Sequence, residues 1–450
     1  MNTRAVLLAA GQGTRMKSTL PKVLHPLLGR PMIFYGLETL RNVTGTKPVA
    51  VIGHAAEAIR QAVGEAAEFV VQEPQLGTGH AVQQAQPVLQ GKADQILVTT
   101  ADMPLLTEET LGCLVQAQVE NSGPITMLTL IAEDPRGFGR VVRTAGDCVL
   151  EVVEEAQATA EQRQIRELNA SAYCFNADWL WQSLPRITLS SKGEYYLTDL
   201  VAIAAQDGLA VHSIVAENHQ ETVGINTRVH LAEAEAYLRR RINREWMLAG
   251  ITLIDPATTY IEPGVRIGQD TVIWPNTYVQ GNSTIGEACV LGPNTVVRDS
   301  SIGDRCKICY SVLEKGSTED DVEIGPFAHL RPGAYLAKGV HVGNFGEVKN
   351  STLGAGTKMG HFSYIGDTTI DRNVNIGAGT VTCNFDGVKK NHTDIGAGAF
   401  IGSDTMLVAP VKIGAGAHTG AGAVVTKDVP DDTLVVGVPA RAIRKLKKND

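Results

Sequence analysis

From Ile251 onward an aliphatic residue followed by glycine recurs at a spacing of mostly six residues or its multiples, and very few folds accept so regular a pattern. The pairs are Ile267-Gly268, Ile285-Gly286, Leu291-Gly292, Ile302-Gly303, Ile324-Gly325, Val342-Gly343, Leu353-Gly354, Ile365-Gly366, Ile376-Gly377, Ile395-Gly396, Ile401-Gly402 and Ile413-Gly414. Ile273, Val279, Ile308, Leu330, Leu336, Val348, Leu407 and Val425 fill intermediate positions, with five-residue steps near Ile302, Leu353 and Ile370. The period predicts a hexapeptide β-helix. Each unit is a strand plus a turn, the aliphatic side chain points to the coil axis, the glycine accommodates the turn, and three units close a coil. At about 18 residues per coil this segment makes about ten coils, a prism roughly 48 Å long. The register breaks at length only at residues 383–394, which must loop outward, either toward a ligand or neighbour or as a tolerated surface loop.

The other half has a different rhythm. Through about residue 225, aliphatic runs at 5–8, 48–52, 96–98 and 125–130 alternate with helix-like stretches, which predicts a parallel sheet with helices on both faces and a ligand site beyond the strands' carboxyl ends. Between Thr227 and Ala249, Gly and Pro vanish while Leu231, Ala234, Leu238, Ile242 and Trp246 recur at helical spacing; Gly250 supplies a stop. The expected organisation is therefore a first domain at 1–226, a linking helix at 227–250 and the β-helix at 251–450. A net charge of -8 without an acidic or basic block gives no footprint for nucleic acid or an anionic membrane. Arg4 before the apolar run 5–10 is too short for a signal peptide, and no stretch approaches the ~20 apolar residues of a membrane span, so a cytoplasmic protein is expected. Seven scattered cysteines do not form a disulfide framework, and the Cys306/Cys309 pair reads as packing within the repeat.

After the first strand comes Leu8-Ala9-Ala10-Gly11-Gln12-Gly13-Thr14-Arg15-Met16, then Pro21-Lys22. A Gly-rich turn at a strand end lets backbone N–H groups approach phosphates, and two nearby cations suit a triphosphate. Here the chain resembles the sugar-1-phosphate nucleotidyltransferases, whose L-x-x-G-x-G-T-R-M and P-K signature it matches residue for residue. The likeness continues through Gln72, Gly77-Thr78-Gly79-His80, Asp102-Met103-Pro104, Gly137-Phe138-Gly139-Arg140, Glu154, Asn169, Gly193-Glu194-Tyr195-Tyr196 and Asn226. Over essentially its full length it resembles the bifunctional N-acetylglucosamine-1-phosphate uridyltransferase/glucosamine-1-phosphate acetyltransferase family. That resemblance implies an α/β Rossmann-like nucleotidyltransferase domain followed by a left-handed parallel β-helix of hexapeptide repeats, in a homotrimer serving cell-wall and lipopolysaccharide synthesis. It implies Mg²⁺ on Asp102 and Asn226, and UTP activated by Arg15 and Lys22. Leu8, Ala9, Ala10, Gly11, Lys22, Gln72, Gly77 and Thr78 would hold the nucleotide, and Gly139, Glu154, Asn169 and Asn226 the sugar. Thr100-Ala101 stand where relatives often carry Tyr-Gly before the aspartate.

A β-helix is often purely structural, so activity there rests on residues the coil does not need. A neutral imidazole such as His361, with an unperturbed pKa of about 6.5, suits removal of a proton from an attacking amine; His329, His341, His392 and His418 have weaker claims. The resemblance implies that His361 is the base for acetyl transfer from acetyl-CoA to glucosamine-1-phosphate. Arg331 and Lys349 would bind the sugar phosphate, Tyr364 and Asn375 the sugar, and Ala378, Asn384, Phe385, Ser403, Ala421 and Arg441 the coenzyme. Phe385 replaces a common Tyr, and the segment Gly437-Val438-Pro439-Ala440-Arg441 lacks the usual cation, for which Arg441 stands in. The rival readings are a nucleotidyltransferase whose solenoid only oligomerises, and a non-catalytic regulatory subunit, against which the intact phosphate motif argues.

Overall fold

The computed structural model describes residues 1–445. The chain divides into two compact units, Met1–Leu238 and a second from Arg239 on, with the division inside the helix Arg228–Leu248.

The first unit is built on a nine-stranded sheet. Its main path runs Val211–Val215, Ile125–Ile131, Glu167–Asn176, Gln95–Thr100, Thr3–Ala9, Val49–Ile52, Glu68–Val71. The alternation of Thr3–Ala9 shows why it is central. Ala5, Leu7 and Ala9 pack with Ile33, Leu37, Leu40, Leu111 and Leu114 of the helices Ile33–Thr44 and Glu108–Glu120. Val6 and Leu8 pack on the opposite side with Ala81, Val82, Leu200 and Val201 of Thr78–Gln84 and Asp199–Gln206. Side chains with a period of two thus bury both faces.

The sheet is not wholly parallel, as the βαβ rhythm predicts. Glu167–Asn176 runs antiparallel to both Gln95–Thr100 and Ile125–Ile131. A parallel neighbour needs a crossover helix. The chain after Ile131 instead forms the hairpin Arg140–Arg143/Val149–Val153 and returns directly.

Register sets up the first site. Thr3–Ala9 and Gln95–Thr100 are parallel with Leu8 beside Thr100, and the Ala101 N–H donates to the Leu8 carbonyl at 2.9 Å. The Gly-rich turn and Asp102 therefore leave the sheet side by side.

The second unit is a left-handed parallel β-helix with three faces of twelve, ten and nine strands among the described residues, starting at Thr252–Leu253, Thr259–Ile261 and Arg266–Ile267 respectively; only the last strand of the first face, Arg441–Lys445, runs antiparallel to its neighbour Thr433–Val436. Ile273, Val279, Ile308, Leu330, Leu336, Val348, Leu407 and Val425 all point into the coil and are buried, and each contributes about 2 kcal/mol relative to exposure. The glycine after the aliphatic residue is explained by clearance. At Gly268 a Cβ would come 2.7 Å from the Glu287 backbone nitrogen of the next coil. Left-handed turn positions are instead held by residues such as Asp270, Asn276, Asn350 and Asp367. Cys306 is buried with its thiol bonded to the Glu319 carbonyl, as is Cys289 one coil earlier on the Gly303 carbonyl, which fits packing, whereas Cys309 is only half-buried.

The excursion appears as an oversized coil: Ile370 pairs with Ile395, whereas Leu353 to Ile370 and Ile395 to Ile413 are ordinary steps. Phe385 bridges Lys390, closing it as a small hairpin.

Two candidate active sites

In the first unit, Gly13 adopts φ 63°, and a Cβ there would lie 2.5 Å from the Lys22 Cβ. Glycine is what lets Lys22 fold back under the turn. Lys22 Nζ lies 2.7 Å from Asp102 Oδ2 and 3.2 Å from Asn226 Oδ1, and Arg15 Nη2 donates to Asn226 Oδ1 at 3.0 Å. Asn226 is brought in by its neighbour Ile225, whose N–H donates to the Asp102 carbonyl at 2.8 Å. Burial opposes ionisation of Asp102, but the Lys22 charge and hydrogen bond, with help from Thr100, outweigh it and hold the carboxyl below its usual range.

These groups line a cleft of about 670 Å³, together with Leu8, Ala9, Ala10, Gly11, Gln72, Gly77 and Thr78. Gln72 is almost wholly buried; its Nε2 donates to the Gly77 carbonyl at 2.8 Å and lies 3.2 Å from His80 Nδ1. Glu154 and Asn169 form the far wall. Gly139 lies behind it, accepting the Asn169 N–H at 2.9 Å. Burial raises the Glu154 carboxyl, with Asp199 and Glu194 adding to the rise and a 3.1 Å hydrogen bond from Thr198 partly opposing it.

Sequence reasoning missed Ser171, Tyr173 and Thr198, which line the same wall. A bulge between Asn169 and Tyr173, with Ser171 at φ 52°, turns the Asn169 amide to donate to the Tyr173 hydroxyl at 2.6 Å. No pattern in Asn169-Ala170-Ser171 announces it.

In the second unit the expected acetyltransferase residues separate onto two corners. His361, Asn375, Ala378, Ser403 and Ala421 line a groove of about 850 Å³ along the corner between the first and second faces, beside Phe400 and His418. Arg331 and Lys349 lie at the corner between the second and third faces, where Asn384 Nδ2 donates to Asp367 Oδ2 at 2.5 Å. Tyr364, on the second face, reaches this cluster: its hydroxyl and the Asn384 amide fill the space above Gly366. Lys390, also missed in the sequence, comes from the excursion and, with Arg331, lowers the Lys349 pKa. Phe385 and Arg441 are exposed. The first corner also carries an exposed aromatic ladder: Tyr310 and Phe327 rings lie 5.6 Å apart and Phe327 and Phe345 5.3 Å, and Phe362, next to His361 in the chain, is exposed as well.

Among the described residues no group of three or more His, Cys, Asp or Glu is arranged to hold a metal, and no helix is long and apolar enough to cross a membrane.

Residues 5–172 match the MobA-like NTP transferase domain, and residues 264–299 and 392–427 match the six-repeat bacterial transferase hexapeptide. The bifunctional protein GlmU of Heliobacterium modesticaldum is 47% identical over 446 residues, covering 99% of this chain and 97% of that protein. That of Exiguobacterium sibiricum is 45% identical, covering 97% of each, and that of Lactococcus lactis subsp. cremoris 47%, covering 97% and 96%. With a phosphate-motif cleft in one unit and a hexapeptide β-helix in the other, the chain belongs to the GlmU family of bifunctional transferases, which acetylate glucosamine-1-phosphate and uridylylate N-acetylglucosamine-1-phosphate to make UDP-N-acetylglucosamine.

Proposed function

We propose that the two reactions are divided between the two units with the following residue roles, a reading carried by the fact that each unit gathers its own set of reactive groups. In the cleft, backbone N–H groups of the turn at Gly11, with Arg15 and Lys22, hold the UTP phosphates. Gln72, Gly77 and Thr78, with Leu8, Ala9 and Ala10, take the uridine. Glu154, Asn169 and the Gly139 backbone take the sugar. The phosphate oxygen of N-acetylglucosamine-1-phosphate attacks the α-phosphorus and pyrophosphate leaves, so no protein nucleophile is needed and positioning with charge neutralisation supplies the rate.

Mg²⁺ fits this site. Asp102 and Asn226 already direct two oxygens at one cationic point, the Lys22 ammonium. A set of two oxygens without His or Cys suits a hard ion that keeps its other positions for water and phosphate. When bound, it neutralises phosphate charge.

In the groove, His361 removes a proton from the 2-amino group of glucosamine-1-phosphate as the nitrogen attacks the acetyl-CoA thioester. A backbone N–H stabilises the oxyanion, and the coenzyme leaves as its thiol. Arg331, Lys349 and Lys390 bind the sugar phosphate; crowded cations favour an anion between them. Tyr364 and Asn375 orient the sugar, while Ala378, Asn384, Phe385, Ser403, Ala421 and Arg441 contact the coenzyme. Because base and phosphate binders occupy different corners, two copies complete a site, and the apolar ladder supports a homotrimer packed along these corners. Seven free cysteines suit the reducing cytoplasm.

His361→Ala should lower acetyl transfer by about 10²-fold or more while leaving uridylyl transfer intact. Thiol release is followed with glucosamine-1-phosphate and acetyl-CoA, and pyrophosphate release in a separate reaction supplied with N-acetylglucosamine-1-phosphate, UTP and Mg²⁺. Equal loss of both activities would remove His361 from this role.

A further inference from the structure

We infer that His80 is a positioning residue that sets nucleobase selectivity by fixing which end of the Gln72 amide faces the nucleotide; this rests on the reading that Gln72 contacts the base. Gln72 is 3% exposed and lines the cleft. A glutamine amide offers two N–H donors and one acceptor oxygen. One donor meets the Gly77 carbonyl at 2.8 Å, which accepts and cannot donate, so the amide nitrogen is the atom placed there. The other lies 3.2 Å from His80 Nδ1. An amide nitrogen accepts no hydrogen bond, so Nδ1 carries the lone pair and the imidazole proton is on Nε2.

His80 is held in turn. It sits in the short helix Thr78–Gln84, its carbonyl accepts from Gln84 Nε2 at 3.1 Å, and the Gln72 backbone is anchored through its N–H to Ile52 and its carbonyl to Gln75 Nε2. With both donors engaged inside the protein, Gln72 presents only its Oε1 to a ligand. That oxygen accepts from the N3–H of uracil. Cytosine presents a lone pair at N3, and the two acceptors repel. Turning the amide over to suit cytosine would break both anchors and set Oε1 against the Gly77 carbonyl, leaving buried polar groups unpaired. His80 touches no substrate; it raises the cost of that inversion.

The test is the ratio of kcat/KM for UTP over CTP, each with N-acetylglucosamine-1-phosphate and Mg²⁺, in the full chain. His80→Ala should lower the ratio by about tenfold, chiefly through better use of CTP, consistent with the loss of one buried hydrogen bond. His80→Gln, which keeps an acceptor, should restore most of it. A ratio unchanged in His80→Ala, or equal losses with both nucleotides, overturns the proposal. Gln72→Ala checks the underlying reading separately: if it leaves the UTP KM unaltered, Gln72 does not contact the base, whatever His80 does.

Discussion

Arg140 heads the largest fully buried side chains, with only 1% of its surface exposed. Its guanidinium donates to the Phe138 carbonyl at 2.5 Å and pairs with the Glu155 carboxylate, beside Glu154 in the cleft wall. Burying a cation is tolerable only while it is paired. Glu155→Ala should therefore cost about 3 kcal/mol, seen as a lower unfolding midpoint for the first unit, because it strands the guanidinium in the interior. An unchanged midpoint would mean that the Phe138 carbonyl alone satisfies Arg140. Legibility varied sharply among single residues. Gly13, Arg15 and Lys22 were readable because a phosphate turn is contiguous in the chain. Tyr173 and Thr198 were not, since each reaches the cleft wall through a bulge or a distant helix start that leaves no local pattern.

The excursion at residues 383–394 is one element whose shape hangs on a single side chain. Asp386 accepts from the Val388 and Lys389 N–H groups at 2.9 and 2.8 Å and from Asn391 Nδ2 at 2.9 Å. Those bonds, the Lys389 amide first, hold its carboxyl at about 2. A folded pKa below the unfolded value of about 3.9 means that the stabilisation is complete above that value and is lost as pH falls through the folded one. Amide exchange at Val388 and Lys389 should accordingly lose protection between about pH 4 and 2. Asp386→Ala should produce the same loss at neutral pH while the flanking coils stay protected; retained protection would show that the Phe385–Lys390 bridge holds the hairpin alone. Among larger elements, the coils were predictable because a six-residue period has one structural solution. The direction of Glu167–Asn176 was not, because an apolar strand reads the same in either direction and only the connection before it decides.

Each unit holds one set of reactive groups, and the product of acetyl transfer is a small, soluble sugar phosphate. Free passage of that intermediate predicts that two defective variants complement each other. Asp102→Asn should abolish uridylyl transfer and His361→Ala acetyl transfer, yet a mixture of the two proteins should convert glucosamine-1-phosphate to UDP-N-acetylglucosamine at a rate near that of the parent chain at the same site concentration. A mixture that stays inactive while each variant keeps its own remaining activity would show that the intermediate must pass within one assembly. The amino-acid order alone specified the two architectures and the phosphate turn with Arg15 and Lys22, because these are written as short periods and contiguous motifs, whereas Tyr173, Thr198 and Lys390 carry no such signature. Which of those residues meet came from three-dimensional packing. Lys22, Asp102 and Asn226 converge across more than two hundred positions. Conversely, His361 and Lys349, close in sequence, fall on different corners of the prism, because only two faces of the coil, the strands Thr352–Leu353 and Lys358–Met359, lie between them and a full turn would be needed to return to the same corner.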